Sequence, residues 1–310
     1  MIDTLNLWLD SGNAKDGNPF FVLPYLNNVE EHNSDKRGYS CSGELGDYVV
    51  YCSQLGISLK GSLAKYYLPS NVFTLTRQTA GEAIEKMSDE LHLDIGGAKV
   101  TRVDISTIIP TQRQPNNYYS SLGNKARFTR LLTHPDTLYY NQRLRQLIFY
   151  DKTKEASTKG AIIPPALNGN NLLRYEMRLL RNPQRLLKSP EMIRGADLIG
   201  QDNYYKLVQL WKREFDDIKK INNIEIMTDS IKTPKDGIET LLATLLQEKD
   251  QSYIDDYLAL LRAKDTFADP KYYSRLKASL NKIRQAPTGA KSELMSELET
   301  AISNVARYAR

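Results

Sequence analysis

The chain has few of the residues that build metal centres and disulfide frameworks. Only two of its 310 residues are cysteines and three are histidines. The histidines His32, His92 and His134 stand too far apart for a metal motif, so we interpret them as surface or hydrogen-bonded side chains. Cys41 and Cys52 are too few for a disulfide framework, and we interpret them as free thiols in a reducing compartment.

Long apolar runs are also missing. No 18 successive residues are free of charge, and the start M-I-D-T-L-N-L lacks the basic and long apolar segments of a signal peptide. There is no GxxxxGK[ST] loop, which argues against a nucleotide-hydrolysing enzyme. The sequence predicts a soluble cytoplasmic protein with no membrane partner.

Charge is distributed unevenly along the chain. Residues 98–188 contain 16 lysines and arginines but only five aspartates and glutamates, whereas the whole chain carries a formal charge of +5. The rest of the chain is therefore net negative. A basic middle segment in an otherwise acidic protein indicates a surface that binds a polyanion.

Hydrophobic periodicity predicts two domains. Strand patterns occupy residues 2–9, 48–53, 56–67, 100–108, 138–140, 146–152 and 172–180, a helix is predicted over 79–91, and the segment up to about residue 39 is predicted to be loop. Helical spacing then covers residues 203–221, 236–249, 252–264, 270–284 and 291–307. We predict an α+β domain over 1–190, an antiparallel sheet with helices on one face, and an all-helical domain over 191–310.

Two predicted strands share one arrangement of charge. In V-T-R-V-D-I-S and L-L-R-Y-E-M-R, alternation places Asp104 or Glu176 beside arginines on one face and apolar residues on the other. Carboxylate oxygens suit Mg²⁺ or Mn²⁺, and the arginines Arg102, Arg174 and Arg178 suit phosphates. The alternative is a set of cross-strand salt bridges on a solvated face.

A third segment, R-Q-L-I-F-Y-D-K, is predicted to be a short strand that presents Tyr150 and Lys152 on one face. A phenol beside a fixed ammonium is a candidate pair for attack on a phosphate, although a tyrosine at a strand end is also common in surface packing. Asp3 shares its predicted strand face with leucines, which favours a structural role, and it is kept as a candidate third metal ligand.

Other tyrosines compete for the same roles. The doublets Tyr118-Tyr119 and Tyr139-Tyr140 are candidates for stacking on unpaired bases or for the nucleophile. Tyr175 falls on an apolar strand face and is predicted to lie in the core.

In order and spacing, V-T-R-V-D-I, R-Q-L-I-F-Y-D-K and L-L-R-Y-E-M-R resemble the gene II/X family of phage and plasmid replication proteins, whose type member is the filamentous-phage gene II initiator. The opening M-I-D-T-L-N-L and the segment I-S-L-K-G-S-L-A-K-Y-Y match the same pattern. The resemblance covers about residues 1–188, and the helical remainder is similar only in character.

This resemblance implies a rolling-circle replication initiator that nicks and rejoins one strand of origin DNA. Its tyrosine becomes joined to the 5′ phosphate and leaves a 3′-OH primer. The family's nucleophile corresponds to Tyr150, followed by Lys152, and its acidic motifs correspond to Asp104 and Glu176. The resemblance also implies a relative of the nicking-relaxase fold. That fold's His-hydrophobe-His motif is missing here, so carboxylates would have to hold the Mg²⁺ or Mn²⁺.

The expected partner is origin DNA, either single-stranded or as a supercoiled duplex. The candidate DNA- and phosphate-binding residues are Lys60, Lys65, Arg102, Arg143, Arg145, Arg174 and Arg178. The C-terminal helices are expected to bind DNA, form dimer contacts or dock a host helicase. Two alternatives stay open: a mobilisation relaxase, and a non-catalytic protein that binds an origin or operator. The expected location is the cytoplasm of a phage- or plasmid-bearing bacterium.

Overall fold

The chain folds as an α+β protein, as predicted, with an antiparallel sheet followed by helices. The computed structural model describes residues 1–35, 38–133, 136–221, 231–247, 249, 252–285 and 293–309. Two compact units are present: the sheet unit, Met1–Lys219 with Glu297–Arg310, and the helical unit, Lys220–Ser296. These bounds differ from the predicted domain boundary at residue 190, and a functional division at that residue stays a prediction.

The sheet unit is built on ten antiparallel strands. They are β1 (Ile2–Asp10), β2 (Asn27–Ser34), β3 (Gly38–Leu45), β4 (Tyr48–Ser53), β5 (Gly56–Gly61), β6 (Lys99–Thr111), β7 (Thr129–Thr133), β8 (Thr137–Asn141), β9 (Arg145–Asp151) and β10 (Asn171–Leu179). Their order in the sheet is β2-β3-β4-β5-β1-β6-β10-β9-β8-β7. The strands that carry the predicted motifs, β6, β10 and β9, are therefore direct neighbours.

Helices complete both units. The described helices are α1 (Leu63–Tyr67), α2 (Arg77–Leu91), α3 (Asn116–Tyr119), α4 (Lys152–Thr158), α5 (Pro183–Leu186), α6 (Gly195–Ile199), α7 (Gln201–Asp216), α8 (Pro234–Gln247), α9 (Ser252–Ala263), α10 (Lys271–Gln285) and α11 (Glu293–Tyr308). Within the described residues, every helix is too short or too polar to cross a lipid bilayer. In the helical unit, α8 to α10 share a small core around Leu246, Ile254 and Leu258.

Sequence reasoning is wrong or incomplete about local structure at several points. The predicted strand over 56–67 ends at Gly61, because the Ser62 hydroxyl accepts a hydrogen bond from the Lys65 amide at 3.3 Å and caps α1. The segment predicted as loop contains β2, whose residues are all exposed and therefore show no apolar alternation. The strand β7, where no element was predicted, likewise has no buried residue that could reveal it. The predicted start of the last helix, residue 291, lies outside the described residues.

The apolar face of the sheet packs against α7. Phe149 of β9 stacks on Tyr175 of β10 with ring centroids 4.5 Å apart, and Trp211 of α7 lies 4.8 Å from Tyr175. Phe215 of the same helix lies 6.3 Å from Phe149. All four rings are fully buried, which confirms the prediction that Tyr175 is a core residue. Sequence periodicity placed α7 with the C-terminal helices, but it is part of the sheet unit's core.

The two cysteines are unpaired, as predicted. Cys41 of β3 and Cys52 of β4 face each other across the two strands, and both are free and buried. Burial raises the pKa of the Cys52 thiol to about 12, so this side chain stays protonated and acts as a small apolar residue.

We expect Phe215→Ala to lower the free energy of unfolding by about 3–5 kcal/mol, because it removes a buried ring from the core shared by α7 and the sheet. Tyr205→Ala is the matched control on the same helix, since that side chain is 51% exposed, and a change within about 0.5 kcal/mol is expected. Denaturant unfolding followed by circular dichroism measures both. Equal losses for the two variants would mean that α7 does not pack on the sheet.

Candidate active site

Strand register brings the predicted motifs onto one face of the sheet. Asp104 of β6 lies opposite Arg178 of β10, and Tyr150 of β9 lies opposite Arg174. Glu176 alternates with these arginines along β10 and points the same way. Because directly opposed residues of an antiparallel pair share a face, the candidate nucleophile, both predicted carboxylates and two predicted arginines lie together.

Asp3 joins this group through a β-bulge. Ile2 pairs with Ile105 and Thr4 pairs with Asp104, so Asp3 is an extra residue on β1. A bulge re-aims the side chains around it, and Asp3 Oδ2 lies 2.8 Å from Arg174 Nη2. The prediction that Asp3 shares the face of the leucines of β1 is therefore wrong, because simple alternation does not anticipate a bulge.

The result is a carboxylate–guanidinium cluster of six side chains: Asp3, Asp104, Glu176, Arg102, Arg174 and Arg178. Arg102 donates two hydrogen bonds to Asp104, at 2.9 and 2.6 Å. Arg178 Nε lies 2.6 Å from Glu176 Oε1 and 3.8 Å from Asp104 Oδ2, so one guanidinium joins the two carboxylates. The three negative and three positive formal charges balance.

The cluster has an inner and an outer layer. The side chains of Asp104, Glu176 and Arg174 are 1%, 4% and 1% exposed, whereas those of Arg102 and Arg178 are 30% and 33% exposed. Burial raises the pKa of Asp104 from its ordinary 3.8 to about 6, although the hydrogen bonds from Arg102 oppose this rise. The negative charge of Glu176 contributes to the same rise.

Tyr150 lies next to the inner layer, close to the end of β9. Burial raises the pKa of its phenol well above the ordinary value of 10, and the charge of Arg174 opposes that rise. The nearby carboxylates Glu176, Glu155 and Asp3 raise it further. The phenol is therefore protonated at neutral pH, and Arg174 is the cation that most favours its ionised form.

Lys152 does not share a strand face with Tyr150, contrary to the prediction. β9 ends at Asp151, whose carboxylate accepts a hydrogen bond from the Lys154 amide at 3.0 Å and caps α4. Lys152 is thus the first residue of a helix. Its ammonium is buried, donates to Asn71 Oδ1 at 2.8 Å and is paired with Glu155. Burial lowers the pKa of Lys152, as does the charge of Arg174, while Glu155 opposes the change.

Asn71 is a site residue that sequence reasoning missed. It lies in the loop between α1 and α2, where an asparagine after P-S looks like an ordinary turn residue. Its backbone oxygen accepts a hydrogen bond from Arg174 Nη1 at 2.6 Å, and its side chain accepts one from Lys152. One residue therefore contacts both Arg174, which lies opposite Tyr150, and Lys152, which follows Tyr150 by two positions in the chain. No sequence signal identifies it, because the contacts span 81 and 103 residues.

The other predicted DNA-binding residues are dispersed. Lys60 is exposed on β5, and it points to the cluster's side of the sheet because its neighbour Leu59 pairs with Leu7 in the core. Lys65 is exposed on α1, 3.9 Å from Asp47, and Arg143 is exposed in the turn between β8 and β9.

Arg145 lies on the opposite face of the sheet from the cluster. Its guanidinium is paired with Glu214 of α7, and it sits 5.3 Å from the centroid of the Phe128 ring. The structure therefore does not bring this predicted phosphate-binding residue to Tyr150.

The tyrosine doublets are mostly buried, so the prediction that they stack on bases is wrong for three of the four. Tyr118 donates to Glu297, Tyr119 donates to the backbone oxygen of Asp136, and Tyr140 donates to two backbone oxygens of the α3–β7 loop. Tyr139 is half-buried and lies opposite Ile148 of β9, on the same face as Tyr150.

The donor chemistry of the cluster suits a hard cation, but its carboxylates already have partners. Across the described ranges of the chain, no group of three or more histidine, cysteine, aspartate or glutamate side chains is arranged to hold a metal ion. Asp104 and Glu176 supply the oxygen donors that Mg²⁺ and Mn²⁺ prefer, and arginines occupy them. The two described histidines lie elsewhere, His32 bonded to Ser42 and His92 at the end of α2; His134 lies outside the described residues.

The fold and the cluster define an α+β protein with a tyrosine set among arginines and carboxylates on one face of an antiparallel sheet. The chain belongs to a family of phage replication-associated proteins, whose model describes the N-terminal part of the gene II protein and matches residues 1–191. This confirms the resemblance seen in the sequence, and the family fits a rolling-circle replication initiator. No curated protein sequence matches the chain significantly.

We expect Arg174→Met to lower the free energy of unfolding by about 3–5 kcal/mol, because Asp3 would be left as a buried charge without its partner. Lys154→Met is the control: its ion pair with Asp136 is on the surface, and such pairs contribute about 0–1 kcal/mol. Denaturant unfolding at pH 7 compares the two. A loss below about 1 kcal/mol for Arg174→Met would show that the buried pair does not hold the strands together.

The raised pKa of Asp104 predicts that the stability of the protein depends on pH. Its pKa is about 3.9 in the unfolded chain and about 6 in the folded protein, so folding takes up a proton between these values. The residue's contribution to the free energy of unfolding therefore falls as pH rises from about 4 to about 6, by at most about 3 kcal/mol. Unfolding of wild type and Asp104→Asn at pH 4 to 7 tests this. The wild-type value should fall relative to the variant; a constant or rising difference would contradict the raised pKa.

Proposed function

We propose that this protein is a rolling-circle replication initiator that nicks and rejoins one strand of origin DNA with Tyr150 as the nucleophile. The observation that carries the proposal is the position of Tyr150, directly across from the buried Arg174 and near the carboxylates of Glu176, Glu155 and Asp3. The chain also belongs to a phage replication-associated family. A phenol in such a setting has both a cation to stabilise its charge and acids or bases to move its proton.

The proposed reaction is a transesterification. The Tyr150 oxygen attacks the phosphorus of a phosphodiester, the bond from phosphorus to the 3′ oxygen breaks, and the DNA is joined to the enzyme through its 5′ phosphate. The proton lost by the phenol is balanced by the one gained by the departing 3′ oxygen, which becomes a free 3′-OH primer. The number of phosphate ester bonds is unchanged, so rejoining needs no nucleotide cofactor.

The residues around Tyr150 have distinct roles in this proposal. Arg174 stabilises the phenolate and the charge that develops on the phosphate. Glu176 lies beside both Arg174 and Tyr150 and adds to the negative charge around the phenol. Lys152 and Asn71 act as positioning residues, since they fix the end of β9 and hold Arg174 in place.

Asp104 and Glu176 would hold the divalent cation that the family resemblance implies, with Asp3 as a third candidate. Such an ion, when bound, would polarise the scissile phosphate as a Lewis acid. Mg²⁺ and Mn²⁺ suit the all-oxygen donor set.

Origin DNA is the proposed partner, and the protein would act in the cytoplasm of a phage- or plasmid-bearing bacterium. Lys60, on the cluster's side of the sheet, and Arg143, in the β8–β9 turn, are exposed and could contact phosphates outside the cleavage site. The C-terminal helices extend beyond the family match and are the candidate region for docking a host helicase.

Tyr150→Phe should abolish covalent attachment to DNA, because it removes only the attacking oxygen. The assay incubates supercoiled DNA of the parent replicon with protein and Mg²⁺ or Mn²⁺, with an EDTA control, and then denatures the mixture. Tyr139→Phe is the matched control on the same sheet face and should still form nicked circles and a protein–DNA adduct.

Two results would change this assignment. An adduct that survives in Tyr150→Phe but disappears in Tyr139→Phe would move the nucleophile. Tight binding without cleavage under either metal would favour a non-catalytic origin-binding protein.

A further inference from the structure

A groove of about 290 Å³ lies between the end of α5 and the outer face of α7, within the sheet unit. We propose that this groove binds a segment of single-stranded DNA, whose phosphates contact cations at its rim and whose bases pack on its apolar floor. The inference goes beyond the proposed function, because binding here does not require Tyr150 to attack DNA. It gives the protein a second DNA-binding surface, on the other side of the sheet from the cluster.

The position of the groove follows from the two faces of α7. Trp211 and Phe215 pack against the sheet. Lys206 and Arg213 are seven residues apart, about 10 Å along the helix axis, and line the groove on the opposite face of α7. Tyr150 shares a sheet face with the cluster, and α7 covers the other face. The sheet and α7 therefore separate the groove from the candidate nucleophile.

Every charged side chain in the described lining of the groove is a cation. Lys188 follows α5, while Lys206 and Arg213 belong to α7, and all three are exposed. None of them has a carboxylate within ion-pair distance among the residues that the structure describes. Lys212, which does not line the groove, is instead paired with Asp216 at 2.5 Å. Protein surfaces normally intersperse charges of both signs, so three unpaired cations around one groove indicate an anionic ligand.

The floor of the groove is apolar and has an aromatic ring at its edge. Leu187 and Leu210 are 5% and 4% exposed, whereas Tyr205 is 51% exposed. A duplex presents its phosphates to a protein but keeps its base faces stacked inside, so an apolar floor adds little to duplex binding. Unpaired bases stack on aromatic side chains while a positively charged groove follows the backbone. The combination favours single-stranded DNA, the form that a replication protein meets where a duplex is opened.

The test uses full-length Tyr150→Phe protein in buffer with EDTA, so that the candidate nucleophile cannot join the DNA. Fluorescence anisotropy measures the binding of a single-stranded oligothymidylate, and a duplex and an abasic strand of equal length serve as competitors. Tyr205→Ala should weaken oligothymidylate binding by roughly 5- to 150-fold, the range expected for the loss of one stacking contact. Tyr205→Phe keeps the ring and should bind as tightly as the parent protein. Circular dichroism checks that both variants are folded.

The cations are tested by the salt dependence of the same binding. Lys206→Ala combined with Arg213→Ala should reduce the slope of log affinity against log salt concentration by about 1.4, because each phosphate contact on a single strand contributes about 0.7. Lys86→Ala combined with Lys235→Ala is the charge-matched control. These two lysines lie outside the groove and pair with glutamates on their own helices, so their removal should leave the slope unchanged.

Photocrosslinking tests the location directly. An oligonucleotide that contains 5-iododeoxyuridine should crosslink on irradiation to a peptide that includes Tyr205, identified by mass spectrometry. Three results would each overturn the inference: crosslinks confined to other peptides, equal affinities for Tyr205→Ala and Tyr205→Phe, or equal salt slopes for the two double variants. A duplex or abasic strand that competes as well as the oligothymidylate would also overturn it, since the groove would then not contact unpaired bases.

Adduct formation by protein with Tyr150 intact is scored separately, so the two proposals can fail independently. An adduct together with unchanged binding by the groove variants would leave the proposed function standing and remove the groove as a DNA site. Weakened binding by the groove variants, without an adduct from the intact protein, would support the groove and remove the nickase.

Discussion

The buried guanidinium of Arg174 is the constraint on which the rest of the site depends. A charge that is almost completely removed from water needs close partners of opposite sign. Asp3 of β1 and Glu176 of β10 provide the carboxylates, and the Asn71 backbone provides a neutral acceptor. Satisfying this one side chain therefore fixes a bulge in the first strand, the register of a central strand and the position of a loop more than a hundred residues away. Tyr150 is held directly opposite the same residue.

The two faces of the central strands differ in character: one is packed in the apolar core, and the other carries the charged cluster. On one face, Phe149 and Tyr175 join Trp211 and Phe215 of α7 in a dry aromatic core. On the other, the carboxylate–guanidinium cluster is densely paired and costly to desolvate. The apolar face supplies the free energy that allows the charged face to stay ordered, since buried ion pairs contribute little net stability by themselves. A charged face whose groups are already fixed in position is what the proposed strand-transfer reaction would need.

Family membership and site geometry are two independent kinds of support for the proposed chemistry. The family match places residues 1–191 among phage replication-associated proteins, while the sheet places the proposed nucleophile, Tyr150, directly opposite Arg174 of the cluster. The geometry also modifies the mechanism suggested by the sequence. Arg174 stands next to Tyr150, and Lys152 is buried against Asn71 and Glu155. The arrangement therefore favours an arginine as the cation that assists the phenol, with the lysine as a structural support.

The sequence by itself determined the fold class, the family and the shared face of Asp104, Glu176 and the β10 arginines, because strand alternation is a local property read from neighbouring residues. Sequence-based prediction failed where the structure depends on contacts between distant segments of the chain. The exposed strands β2 and β7 lack a burial pattern, and the Ser62 cap of α1 resembled a continuing strand. Only the tertiary structure decided that Asp3 turns toward Arg174, that Asn71 joins the site, that Lys152 begins a helix and that Arg145 faces away. Each of these depends on register, bulges or loop packing, which follow from the free energy of the whole sheet unit and not from any short run of residues.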